Sequence, residues 1–277
     1  MAHAHLFQHN NFTGRQMIAD NPDGVRYALT PFATMSALSF NDITSSLRLH
    51  SSTPAIPSMC ILFEHAGFNG NVKAFAFNAN RDISSLPGFN DVTSSVLIVE
   101  HDPNPNKTIL KLRQLAGNRI NSAIDDNLSG ISEVSRSGDV KLKFVIDLDG
   151  LVGIDLVLVE IPVKVHTPWP FSDYSAKIRY WINLFIDGSN RLQGFVNAWG
   201  YWIEGGILTG SIEGKLKPQV EANIGAVESN LNSMLREVNF HRWTDVYLLP
   251  GSSNLVTDDY DSNVNDEVSV ILPYMEG

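Results

Sequence analysis

A paired motif occurs twice in this chain. Phe7-Gln8-His9-Asn10-Asn11-Phe12-Thr13-Gly14 is followed later by Phe40-Asn41-Asp42-Ile43-Thr44-Ser45-Ser46. Phe63-Glu64-His65-Ala66-Gly67-Phe68-Asn69-Gly70 is followed by Phe89-Asn90-Asp91-Val92-Thr93-Ser94-Ser95. Both copies read Phe-x-His-x-x-Phe-x-Gly and then Phe-Asn-Asp-x-Thr-Ser-Ser. Two separate motifs kept in the same order twice mark a duplicated structural unit. The interval from Phe7 to Asn41 exceeds that from Phe63 to Asn90, and the extra residues around Pro22 to Pro31 predict a longer loop.

The segments around these motifs alternate apolar and polar residues at strand period. Tyr27–Leu29, Leu47–Leu49, Met59–Phe63, Val72–Phe77 and Val96–Val99 are punctuated by Asn-Gly, Pro-Gly and Asn-Pro-Asp-Gly turns. Residues 1–101 therefore read as all-β. Two prolines among polar residues make 102–107 a linker. Beyond it the period changes. Leu112, Ala116, Ile120, Ala123, Ile124 and Leu128 predict an amphipathic helix from about Thr108 to Leu128. Strands follow at Leu142–Ile146, Ile154–Val165, Ile178–Ile186, Leu192–Ile203 and Ile207–Leu216, with Asp149-Gly150 and Asp187-Gly188 as turns. A second helix starts near Pro218 and carries Val220, Ile224, Val227, Leu231, Met234 and Val238 on one stripe. Trp243–Leu249 is a last strand, and the acidic end after Thr257 is expected to be partly loose.

Charge narrows the partners. Twenty basic against thirty acidic residues give a net of −10, which disfavours a nucleic-acid backbone. No apolar run reaches the roughly 20 residues that span a bilayer, and no signal peptide is visible, so the chain is expected to be soluble, in a compartment the sequence does not reveal. Cys60 is the one cysteine, which excludes an internal disulfide and a cysteine zinc site. Its apolar neighbours predict a buried small side chain.

The N-terminal third resembles a βγ-crystallin domain of the calcium-binding, microbial type. Phe7, Phe12 and Gly14, then Phe63, Phe68 and Gly70, match that family's hairpin signature, with Ser36 and Ser84 as the serines further on. Asn41, Asp42, Ser45 and Ser46, and Asn90, Asp91, Ser94 and Ser95, match its calcium pattern. The residue types also suit the chemistry alone. A calcium ion takes about six to eight oxygens at 2.3–2.6 Å; each loop offers Asn, Asp, Thr and Ser, yet is too short to surround an ion by itself. The resemblance implies two calcium ions clamped between the loops. It also implies backbone carbonyl ligands at Ile43 and Val92 and near Gln8 and Glu64, with Ser45 and Ser94 as hydroxyl ligands from the opposing motifs. The fold class expected is thus a multidomain chain: an all-β N-terminal Greek-key sandwich, plus an α+β C-terminal domain over 108–277 with long antiparallel strands and two amphipathic helices.

The C-terminal region matches no named family. Its layout, and its density of Trp169, Phe171, Trp181, Trp199, Tyr201 and Trp202, are compatible with lipid binding, but aromatics on strand faces and in the core explain the composition as well. Asp259, Asp261, Asn263 and Asn265 have EF-hand spacing, but Val264 and Val270 stand where that loop needs Gly and Glu. His166 and His241 each stand alone in sequence, and no nucleophile-elbow or phosphate-loop pattern occurs. The functional expectation is a calcium-binding, non-enzymatic protein whose C-terminal domain meets a protein, glycan or lipid. A hydrophobic-ligand carrier with a calcium-stabilised accessory module is the alternative, and a glycan hydrolase is the third.

Overall fold

The computed structural model describes residues 1–21, 27–53, 57–100, 106–116, 119–128, 133–146, 155–167, 172–204, 209–251, 259–262 and 267–275. In chain order, β1 is Ala2–His9, β2 Thr13–Asn21, β3 Tyr27–Thr30, α1 Phe32–Ala37, β4 Ser46–Ser51, β5 Ser58–His65, β6 Asn69–Phe77, β7 Arg81–Ile83 and β8 Ser95–Glu100. Then come β9 Lys107–Lys111, α2 Leu112–Ala116, α3 Arg119–Leu128, β10 Val134–Arg136, β11 Lys141–Ile146, β12 Asp155–Val165, β13 Tyr174–Ile186 and β14 Leu192–Ile203. The chain ends with α4 Thr209–Leu235, β15 Tyr247–Pro250, β16 Tyr260–Asp261 and β17 Val268–Pro273. Two compact units result: Met1–Pro105 with Val145–Leu148 and Pro250–Asp266, and Asn106–Phe144 with Asp149–Leu249 and Glu267–Gly277.

The first unit holds two antiparallel sheets, ordered β2-β1-β4-β7 and β16-β6-β5-β8-β3. Each repeat contributes its first, second and fourth strand to one sheet and lends its third, β3 or β7, to the other. Ala2, Ala4, Leu6, Leu47 and Leu49 of one sheet meet Cys60, Leu62, Phe75, Val96 and Ile98 of the other in a common core. β1 buries alternate residues, as a strand with one wet face must. β5 and β8 are buried on both faces, which is why Met59–Phe63 and Val96–Val99 read as unbroken apolar runs. Cys60 is wholly buried, and burial pushes its thiol well up, away from reactivity. The longer first repeat is resolved differently from the expected loop. Nine residues, Pro31–Ser39, separate β3 from Phe40, where five, Ser84–Gly88, separate β7 from Phe89; this part of the added length holds α1, and the rest falls before Pro31, where 22–26 lie outside the described residues.

Beyond the first hundred residues the structure corrects three expectations. Thr108–Lys111 is not helical: its β-branched run pairs as β9 with β17, and the helix begins only at Leu112. Ile207–Leu216 is not a strand: α4 starts at Thr209 and contains Pro218 internally. Ile212, Leu216 and Val220, exposed by 1%, 0% and 1%, continue the four-residue spacing of the later stripe, and that helical period overrides the apparent alternation. The acidic end is not loose where described: Tyr260 is buried in β16 against β6, and every residue of β17 is buried. Asp259 and Asp261 of the EF-hand-like stretch pair with Arg81 and Lys73, and 263–266 lie outside the described residues.

The long strands stand as the alternation foretells, in the order β10-β12-β13-β14 with β11 also on β12. The Asp187 turn closes as expected, its carboxylate accepting from the Ser189 and Arg191 amides at 2.8 and 3.0 Å; the Asp149 turn lies outside the described residues. β14 is an edge strand whose backbone is satisfied by α4 and the turn after it. Asn232 accepts from the Gly194 amide and donates to its carbonyl, Asn239 does the same at Leu192, and Glu228 accepts from the Val196 amide. The approach at Gly194 is tight: a Cβ there would sit 2.5 Å from Leu231 Cδ2 and 3.0 Å from Leu184 Cδ2, so both leucines would have to shift. Gly194→Ala is expected to cost about 1–3 kcal/mol by overpacking, read as a lower urea midpoint at unchanged slope.

Candidate metal centre

The hairpin signature builds the frame. Phe7 and Phe12 meet edge to face at 5.8 Å, and Phe63 and Phe68 at 5.4 Å. Gly14 and Gly70 have φ of +80° and +84°, and a Cβ at either would strike the ring of His9 or His65 at 2.7 or 2.8 Å. The repeated histidines are thus packing partners of the glycines. The second serine of each pair ties this frame down. Ser46 Oγ donates to the His9 carbonyl and accepts from the Phe12 amide; Ser95 Oγ does the same with His65 and Phe68. Ser84 supplies its carbonyl to the Asn11 amide of the other repeat at 2.9 Å. Ser36, by contrast, is exposed within α1 and takes no equivalent place, because the inserted helix displaces it.

The first serine of each pair faces the opposite repeat. Ser45 Oγ lies 3.0 Å from Asp91 Oδ1 and 2.8 Å from the Gln8 carbonyl, and Ser94 Oγ lies 2.9 Å from Asp42 Oδ1. The loops lean on each other through two further exchanges: the Asp42 amide donates to the Thr93 carbonyl, the Asp91 amide to the Thr44 carbonyl, at 3.0 and 3.1 Å. Asp42 and Asp91 adopt left-handed φ of 54° and 56°, which short Asx side chains tolerate. Asn41 and Asn90 donate to the neighbouring carboxylates at 2.5 and 2.8 Å. Ile43 and Val92 are half-buried against the core, and the Gln8 and Glu64 side chains cap the Arg15 and Asn71 amides.

The cluster fits an oxygen-seeking cation. Oxygens 72–90° apart on a shell of about 2.4 Å are about 2.8–3.4 Å from one another, and the serine, aspartate and carbonyl oxygens already stand at 2.8–3.0 Å. Among the described residues, Asn41 Oδ1 and the Thr44 and Thr93 hydroxyls are buried in these same turns without a partner, an arrangement that costs free energy until something supplies one.

In the second unit, two sequence-isolated histidines acquire neighbours. His241 stacks on Tyr274 at 4.2 Å. His166 lies between Ser135 Oγ at 3.2 Å and Asp173 Oδ2 at 3.1 Å. Strand register makes this meeting, since β10 pairs with the end of β12, and no local sequence signal foretells it. The array is open: the side chains of His166 and Asp173 are 48% and 29% exposed, and Lys164 shares the carboxylate. It lacks the water exclusion that gives such a triad its catalytic force. Trp181, Trp199 and Tyr201 lie half-buried on strand faces and Trp202 is 59% exposed; Trp169 and Phe171 are outside the described residues. The core tryptophan is Trp243. No helix among the described residues is long and apolar enough to cross a membrane.

No protein-family model and no curated protein matches the chain. Among solved structures, a chain described as "Evolution of the eye lens beta-gamma-crystallin domain fold" is 22% identical, with a TM-score of 0.28, covering 36% of this chain and 87% of that one. A likeness of that degree bears on neither site nor activity.

Proposed function

We propose that the first unit is a calcium-binding module of the βγ-crystallin kind, holding two ions across the paired turns, in a non-enzymatic protein whose second unit recognises another molecule. The observation that supports it is the reciprocal reach of Ser45 to Asp91 and Ser94 to Asp42. Each ion would take one carboxylate, a serine of the other repeat, the carbonyls near Ile43 or Val92 and near Gln8 or Glu64, and water. One carboxylate per ion places the affinity in the weaker class, roughly 10⁻⁵–10⁻³ M. Calorimetric titration of the metal-free chain is expected to give two calcium sites; a flat titration up to about 10 mM calcium, tenfold above the weakest affinity expected, would sink the proposal.

A second reading rests on a cavity of about 60 Å³ in the second unit, lined by Leu112, Val159, Tyr180, Val227, Leu231 and Met234 among others. Burial pushes the Tyr180 hydroxyl up to about 12, so it stays neutral, and its position faces α4. Space on this scale suits a small apolar molecule rather than a whole lipid, since drug-sized sites enclose about 300–1,000 Å³. Mass spectrometry of an organic extract of the purified chain checks it: a stoichiometric apolar compound would favour a carrier.

A further inference from the structure

Among the described residues, three imidazoles converge on the outer face of the β1 sheet, in a row that continues to Phe7, whose ring lies 6.5 Å from that of His5. His3 and His5 are two apart on β1 and so project to one side. His50 on β4 stands directly opposite His3. A ligand nitrogen of each lies within 4.8 Å of the other two, and the rings are 4.9–5.3 Å apart. All three are half-buried. The strands beneath them are fixed, because Ala2, Ala4, Leu6 and Leu49 on the inner side belong to the core.

We propose that His3, His5 and His50 bind one divalent transition metal of the zinc class, independently of the paired turns. Imidazole nitrogen suits zinc, copper and nickel, whereas calcium takes oxygen, so ligand chemistry alone separates the two kinds of site. Three nitrogens at 2.0–2.1 Å around a tetrahedral ion are about 3.3 Å apart. The nitrogens now lie within 4.8 Å of one another, so binding requires the three rings to turn inward by about 1.5 Å. The fourth position falls to water or to Asp20, which faces His3 from β2. The imidazoles are also prepared for the role. Burial, and then the neighbouring His50, hold His3 and His5 below the ordinary histidine value, and Asp20 and Gln16 offset this only in part. They are therefore neutral at pH 7, the form that ligates. Arg48, opposite His5, is engaged elsewhere, over the Phe12 ring at 4.3 Å and beside Asp82 at 3.5 Å.

The test is titration of the full chain with zinc chloride in saturating calcium at pH 7.5, repeated with cobalt to read the visible bands of a tetrahedral site. One zinc per chain is expected, with His50→Gln and, separately, His5→Gln weakening it by at least about 100-fold, because losing even an outer-shell partner of a metal ligand costs 10–100-fold. Both histidines are partly exposed, and circular dichroism before titration verifies that each variant is folded. Asp42→Asn with Asp91→Asn should leave zinc binding unchanged, so this proposal and the calcium reading fail separately. Zinc bound with equal affinity by wild type and both histidine variants, or no zinc bound at all, would overturn it.

Discussion

Calcium is expected to raise the melting temperature of the chain by roughly 10 °C or more, and Asp42→Asn with Asp91→Asn to abolish the rise. A ligand that binds only the folded state stabilises it by about 2.7 kcal/mol per site at a hundredfold excess over its dissociation constant, so two sites give about 5. For a domain of this size 1 kcal/mol moves the midpoint by several degrees. The Asn replacements keep the shape, and their carbonyl oxygens can still accept from Ser45 and Ser94; the bonds from Asn41 and Asn90 to the second oxygen are lost, so the calcium-free midpoint should fall modestly and the calcium response is read against each variant's own chelator curve. Ser45→Arg with Ser94→Arg should abolish the effect more bluntly, since those serines are 3% and 6% exposed and have no room for a guanidinium. Differential scanning calorimetry at about 100 mM calcium, a hundredfold above the weakest dissociation constant expected, and in chelator settles it: superimposable curves for the wild type would end the calcium assignment.

Glu160→Gln should destabilise the second unit by about 2–3 kcal/mol at pH 7, and by progressively less as the pH falls below the ordinary carboxylate range. Glu160 is 2% exposed and sits opposite Arg179, whose guanidinium is 2.7 Å away, with Lys177 and Lys143 at 3.6 and 3.8 Å. Burial alone would push its carboxyl up; Lys143, Arg179 and Lys177 outweigh that and hold it below the ordinary range. A carboxyl whose folded value is depressed stabilises fully above its unfolded value, about 4.3, and loses that contribution as pH falls through the folded value. Breaking a wholly buried pair costs about 3–5 kcal/mol. The smaller figure here reflects Lys177 and Arg179 side chains 36% and 32% exposed, which can turn to water. All five tryptophans lie beyond residue 160, so urea unfolding followed by their fluorescence reports on this unit. A variant as stable as wild type at pH 7 would show the cluster to be ornamental.

What could be read from the residues divides by range. The doubled motif exposed the hairpins and the glycine positions, because each is a short-range constraint written twice, whereas the reach of Ser45 and Ser94 to the other repeat spans 46 and 52 residues and was implied only by the family resemblance. Period-2 alternation was enough for β11 through β14. It misled at Ile207–Leu216, where the four-residue spacing of Ile212, Leu216 and Val220 carried the information, and Thr108–Lys111 became a strand only because β17 lies beside it. The histidine face went unread: His3 and His5 were not assigned to a strand, and His50 joins them through a pairing 47 residues away. The Ser135–His166–Asp173 array had no legible signal at all, being a product of register.

The loan of β3 and β7 between repeats also constrains how such a protein can come apart. Neither half carries a complete sheet of its own, so a peptide of residues 1–53 would present two raw seams: the place its β3 should occupy beside β8, and the flank of β4 that β7 would cover. A second copy of the same peptide could fill both. Cleavage between the repeats should therefore yield fragments that reassociate rather than two independent miniature proteins, and a solitary ancestral motif would have been obliged to live as a pair.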